Sequence, residues 1–201
     1  MGLFGLVDQH GSFISLRSIS AAVVPITIGL NAHWLGSPRR RAHCAFTVCQ
    51  SLASPMPAIE KVADYPRPPR IELVHGAVSV RIGQEWIAAD VKYARICETY
   101  HPPTIYIDPA AFRDGTLQAT SGRPSFCEWK GVASYWDLST SNGENVRSRA
   151  GWSYAVPTER FAAIAGWISL YPRLVDECRL EGELVSPQPG RFYGGWITPW
   201  T

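Results

Sequence analysis

Glu98 and His101 are three residues apart beside the rigid Pro102-Pro103 corner. A carboxylate and an imidazole at this spacing can act together as general acid and base if both reach the same substrate. A surface hydrogen bond between the two side chains explains the spacing equally well. Both residues are therefore candidate catalytic groups, and neither is assigned a role by the sequence.

A second candidate motif joins Cys127, Trp129 and Lys130 within four residues. Cys127 is a possible nucleophile if His101 or Lys130 lies close enough to stabilise a thiolate, although a buried lone cysteine is usually inert. Lys130 can meet a phosphate or carboxylate, or act as a base if desolvation lowers its pKa. The alternative is a lysine that extends from a hairpin tip into solvent.

Aromatic residues are concentrated in the same part of the chain, where residues 65–201 hold seven of the eight tryptophans and all eight tyrosines. We expect some of them to form a pocket that holds a flat or cationic small molecule by stacking and cation–π contact. An aromatic-rich core is the alternative, because strands use aromatics heavily. The candidate ligand-binding residues are Tyr106, Trp129, Tyr135, Trp152 and Tyr154.

The elements that must position these residues are mostly short strands. In residues 125–138, the segments before and after Lys130-Gly131 each read as a strand, because successive side chains would alternate between the two faces of a sheet. This pattern predicts a hairpin with a two-residue connection at Lys130-Gly131. Runs at 71–74, 77–82 and 85–89, separated by His75-Gly76 and Gly83-Gln84, predict a β-meander. Apolar residues at helical spacing predict one principal α-helix over about 158–171. The chain is therefore predicted to be mainly β.

Several chemistries are disfavoured by what the sequence lacks. Cys97, Cys127 and Cys178 are isolated, so no pair has the spacing of a zinc knuckle, and we expect neither a metal nor a cofactor. The arginines after residue 56 are scattered and the net charge is only +2, which argues against a nucleic-acid partner. The longest apolar run, residues 21–30, is interrupted by Pro25 and is too short to span a membrane.

The first 55 residues differ from the rest, since Asp8 is their one acidic residue and Ser and Arg are frequent. This composition indicates either a transit peptide or residues encoded upstream of the true start, which Met56 would mark. We predict a non-folding leader over 1–55 and a single domain over 56–201. The sparse, odd set of five cysteines favours a reducing, cytoplasmic location, with an organelle as the alternative.

A group of motifs between about residues 65 and 199 resembles a known family. The motifs are Tyr65-Pro-Arg-Pro-Pro-Arg70, Glu98-Thr-Tyr-His-Pro-Pro-Thr-Ile-Tyr106, Cys127-Glu-Trp-Lys-Gly-Val-Ala-Ser-Tyr135, Gly151-Trp-Ser-Tyr154, residues 162–171 and Phe192-Tyr-Gly-Gly-Trp-Ile197. In this combination and order they resemble the domain of unknown function 427 family, which carries a nucleotidyltransferase-like short name. The resemblance implies a β-tent-like (Mss4-like) fold of two antiparallel sheets meeting at an angle. Relatives with that fold hold zinc between paired cysteines, which this chain lacks.

Three functional hypotheses follow, and none of them fixes the oligomeric state. The first is a domain that binds a small molecule in an aromatic pocket between two sheets. The second is an enzyme that uses the same pocket, with Cys127 as nucleophile or Glu98 and His101 as acid and base. Nucleotidyl transfer is disfavoured, because no Asp-x-Asp pair and no phosphate-binding Gly-rich loop occurs. The third is a structural or interaction domain whose aromatics are all core.

Overall fold

The computed structural model describes residues 58–201. The predicted leader lies outside the described residues, and the proposed boundary at residue 56 stays a prediction. Within the described part the strands are β1 Arg70–Ile82, β2 Glu85–Cys97, β3 Thr104–Ile107, β4 Leu117–Ala119, β5 Ser125–Cys127, β6 Gly131–Leu138, β7 Arg147–Ser153, β8 Ile168–Leu170, β9 Glu177–Leu180, β10 Glu183–Leu184, β11 Ser186–Pro187 and β12 Trp196–Ile197. The helices are short 3-10 helices, at Val62–Asp64, Pro109–Ala111, Glu159–Ile164 and Pro172–Leu174.

One large antiparallel sheet dominates the fold, in the strand order β10-β9-β1-β2-β3-β8-β7-β6-β4. β4 and β5 pair with different parts of β6, and β11 and β12 form a small second sheet. The prediction of a mainly β protein with antiparallel sheets is confirmed. None of the helices in the part of the chain that the structure describes is long and apolar enough to cross a membrane.

The first two strands pair as one long hairpin rather than as a series of short strands. The predicted two-residue turn at Gly83-Gln84 is present, with Ile82 opposite Glu85. The predicted break at His75-Gly76 is instead an irregularity within β1, between His75 and Val78. Glu181 lies against the backbone there, since a Cβ at Gly76 would fall 1.8 Å from Glu181 Oε1. A glycine in a strand thus marks a close approach here, not the end of the strand.

The predicted α-helix over 158–171 is wrong. Glu159–Ile164 form a 3-10 helix, the chain turns at Gly166 with φ +74°, and Ile168–Leu170 become β8 in the middle of the sheet. All three residues of β8 are buried, because the strand is covered on both faces. Ile168 follows the buried Phe161 and Ile164 at helical spacing, and this spacing alone does not distinguish a short buried strand from the continuation of a helix.

The buried side chains form two clusters that lie on opposite faces of the sheet at β3. Ile105 and Ile107 belong to the larger cluster, whereas Tyr106 between them belongs to the second. Successive side chains of a strand point to opposite faces, which accounts for this division. The second cluster is rich in aromatics and holds Tyr106, Trp152, Tyr154 and Phe161. The candidate site is built on this face.

Candidate functional site

A cavity of about 320 Å³ opens on the aromatic face of the sheet. Its lining combines β3, the β5–β6 hairpin, β7 and the segment that follows β11. The structure brings all nine candidate residues named from the sequence to this one cavity: Glu98, His101, Tyr106, Cys127, Trp129, Lys130, Tyr135, Trp152 and Tyr154.

The hairpin places Trp129 and Lys130 at the cavity. β5 and β6 pair as predicted, but Cys127 lies opposite Gly131, so the connection has three residues instead of two. Gly131 has φ +94°, a conformation that glycine adopts without steric cost. Thr158 holds the connection in place, since its backbone N–H donates to Lys130 O at 3.3 Å and its Oγ1 donates to Trp129 O at 2.6 Å.

The wall of the cavity is formed by hydrogen-bonded aromatics. Trp152 Nε1 donates to Tyr106 Oη at 3.2 Å, and the two rings meet edge to face with centroids 6.4 Å apart. Tyr154 lies on the other side of Tyr106, and Tyr171 packs on Trp152. Burial raises the pKa of Tyr106 and Tyr154 well above the usual range, and it raises the pKa of Tyr171 to about 12. The phenols are therefore uncharged at neutral pH.

Lys130 is buried, with only 8% of its surface exposed. Its Nζ lies 5.8 Å from the centre of the Tyr154 ring and 5.6 Å from that of Phe161. The alternative of a lysine extending from the hairpin tip into solvent is therefore wrong. Its ammonium group lies over two aromatic rings, those of Tyr154 and Phe161.

Glu98 and His101 line the same cavity, but their side chains have other partners. Glu98 Oε1 accepts from Arg67 Nε at 3.1 Å and from Arg67 Nη2 at 2.7 Å. His101 Nδ1 lies 3.2 Å from the amide nitrogen of Gln188, and its ring packs on Tyr193 with centroids 4.4 Å apart. Glu98 and His101 meet only through a backbone turn, in which His101 N–H donates to Glu98 O at 3.0 Å. An acid/base role for this pair stays a prediction.

Cys127 is the accessible thiol among the three cysteines of residues 58–201. It is half-buried at the cavity, while Cys97 and Cys178 are buried in the sheet. Burial raises the pKa of the Cys97 and Cys178 thiols, so both stay protonated at neutral pH. Residues 58–201 hold no group of three His, Cys, Asp or Glu side chains placed to bind a metal ion. Isolated cysteines do not fit a zinc site made of paired cysteines.

One wall of the cavity was missed by sequence reasoning. It comes from residues that are not among the nine candidates, and all of them except Gln188 lie in the motifs at 65–70 and 192–197: Arg67, Gln188, Phe192, Tyr193 and Gly194. The Gly194-Gly195 pair was the available signal, since a Cβ at Gly194 would fall 2.4 Å from Trp152 Cη2 and one at Gly195 would fall 2.4 Å from Gln188 Oε1. These glycines let the backbone lie directly against the two side chains.

Two residues of the lining each have a polar atom that is buried inside the protein, without accessible surface, and has no hydrogen-bond partner within residues 58–201. They are the indole N–H of Trp129, a donor, and Oε1 of Gln188, an acceptor. Buried polar groups in folded proteins are nearly always paired, so each unpaired atom requires an explanation.

Comparison with known proteins gives a family but no close characterised relative. A search of curated proteins found no match. A family model described as a domain of unknown function (DUF427) matches residues 70–181, which is more than half of the chain and includes all nine candidate residues. The chain therefore belongs to the DUF427 family.

Proposed function

We propose that this protein binds a small organic molecule in the aromatic cavity. The observation that carries the proposal is the cavity of about 320 Å³, on which Lys130 and the aromatic rings of one sheet face converge. Close packing of the core does not account for a space of this size.

The composition of the lining supports the same proposal. Ligand sites are typically apolar and aromatic with a few converging polar groups, and their volumes start at roughly 300 Å³. This cavity combines the rings of Tyr106, Trp152 and Tyr154 with the buried ammonium of Lys130. A core made only of closely packed aromatics would not leave this space.

The test is native mass spectrometry of the full chain, purified without chelator, before and after denaturation. We expect an excess mass that disappears on denaturation. Ala133 lies in the lining and is 2% exposed, so Ala133→Leu should fill part of the cavity and remove the excess mass. Ala119→Leu, at an exposed position on β4, is the matched control and should retain it.

Two results would contradict the proposal. One is an excess mass that Ala133→Leu leaves unchanged, because the compound would then bind elsewhere. The other is a chain of unmodified mass that also fails to bind any member of a fragment library, as followed by tryptophan fluorescence.

An enzyme that uses the same cavity is the second candidate function. The position of Cys127 favours this function. Among the three cysteines of residues 58–201, Cys127 alone is half-buried and lies in the cavity lining. In this case Cys127→Ser should abolish turnover of the compound identified by mass spectrometry and leave its binding intact. If turnover persists in Cys127→Ser, the thiol is not a nucleophile.

A further inference from the structure

Lys130 differs from the other lysines in the described part of the chain. Lys61 and Lys92 are exposed, whereas Lys130 is 8% exposed and lies in the cavity lining. Lysine is almost never fully buried unless a group of opposite charge accompanies it. A buried Lys130 is therefore expected to have a partner of negative charge.

The protein supplies no such partner from residues 58–201. The carboxylates in the lining are Glu98, which is held by Arg67, and Glu128, which is exposed. No carboxylate of the described residues forms a salt bridge with Lys130. The ammonium carries three N–H donors, and the ring faces of Tyr154 and Phe161 attract its charge without supplying an oxygen acceptor.

The same contacts decide against a cationic ligand at this end of the cavity. An aromatic pocket alone would favour cations, because the faces of aromatic rings carry partial negative charge. Here the Tyr154 and Phe161 faces already have the Lys130 ammonium beside them, and a second cation would be repelled by it.

We propose that the ligand carries an anionic group, a carboxylate or a phosphate, that pairs with Lys130 Nζ. The anion is attached to a flat apolar body that packs against the rings of Tyr106 and Trp152. This inference rests on the proposed small-molecule site and specifies the chemical class that the site accepts.

The experiment compares matched probes that share one flat body and differ in charge. The probes are 2-naphthoate, 2-naphthyl phosphate, neutral 2-naphthamide and cationic 2-(aminomethyl)naphthalene. Their dissociation constants for the full chain are measured by calorimetry and by quenching of tryptophan fluorescence. Because hydrogen bonds to charged groups are the stronger ones, we expect at least one of the two anions to bind about tenfold or more tighter than the amide.

Substitution of Lys130 tests whether its ammonium group causes the preference for anionic probes. Lys130→Met keeps an unbranched apolar side chain and removes the ammonium group, so the preference for the anion should disappear while binding of the amide persists. Lys92→Met is the matched control, since Lys92 Nζ also lies over a ring, at 5.4 Å from the centre of Trp167, but outside the cavity. It should keep the preference. Melting curves of both variants establish that they are folded.

The outcomes separate this inference from the proposed function. If the amide or the amine binds as tightly as the anions, or if Lys130→Met keeps the preference, the anionic class is overturned and the small-molecule site stands. If the naphthoate and the phosphate differ, the tighter one identifies the anion. If no probe binds, the anionic class proposed here is overturned, and the excess-mass test then decides the small-molecule site separately.

Discussion

Trp152 and Tyr106 lie on adjacent parts of one sheet face, and the indole N–H of Trp152 donates to the Tyr106 hydroxyl at 3.2 Å in a fully buried contact. Tyr106→Phe keeps the ring and leaves the Trp152 N–H without its acceptor. A buried group that loses its partner costs about 1 to 3 kcal/mol. We expect the free energy of unfolding, measured by urea denaturation, to fall by about that amount. A change below about 0.5 kcal/mol, the usual range of surface substitutions, would show that the bond contributes little.

The backbone at Gly194 lies directly against the ring of Trp152. In Gly194→Ala the new Cβ would fall 2.4 Å from Trp152 Cη2 and 3.3 Å from Leu170 O, so the ring or the backbone must move. Overpacking of this kind costs about 1 to 3 kcal/mol, and we expect that loss of stability together with a changed near-UV circular dichroism of the tryptophans.

Gly122→Ala is the control for that substitution. Its Cβ would meet the end of the flexible Arg149 side chain, which can move aside. Equal losses of stability in the two variants would mean that the contact with Trp152 is not the cause.

Asp176 makes the stability of the long hairpin depend on pH. The N–H of Gly83, at 2.6 Å from Oδ2, holds the pKa of this carboxyl below its usual range; burial opposes that shift and Arg147 adds to it. The stabilisation is complete above the unfolded-state pKa of about 3.9 and is lost as the pH falls from there through the lower folded-state pKa. Asp176→Asn should therefore show a shallower fall of stability between about pH 4 and pH 2, measured by urea denaturation at each pH. An unchanged pH profile would exclude Asp176 as a source of acid sensitivity.

The thiols should differ in reactivity according to their burial. In native protein treated with iodoacetamide, Cys127 should be alkylated while Cys97 and Cys178 are protected, because only Cys127 reaches the cavity. Peptide mass spectrometry locates the label, and denaturation before treatment should expose all three. A ligand in the cavity should slow alkylation of Cys127. Rapid labelling of Cys178 in the native state would contradict the buried position of β9.

Local patterns in the sequence predicted much of the candidate site. The 125–138 hairpin and the turn at Gly83-Gln84 follow from alternation and glycine, both of which are properties of a few neighbouring residues. All nine candidate residues line one cavity because the motifs that hold them lie on strands that meet on one face of the sheet.

What the sequence did not predict depends on contacts between distant residues. Ile168–Leu170 form a strand because they pair with β3 and β7, which are distant in the chain, and a short buried segment does not by itself distinguish a strand from a helix. The partners of Glu98 and His101 are Arg67 and Gln188, which are 31 and 87 residues away in the chain. No periodic pattern among neighbouring residues indicates contacts between residues so far apart in the chain.

Gln188, Tyr193 and Gly194, which form one wall of the cavity, follow every strand of the large sheet in the chain, since β10 ends at Leu184. The same stretch of chain brings Trp196 and Trp200 into the larger core cluster. One segment therefore closes the cavity and completes the core, and a chain that ends after β10 would lack both.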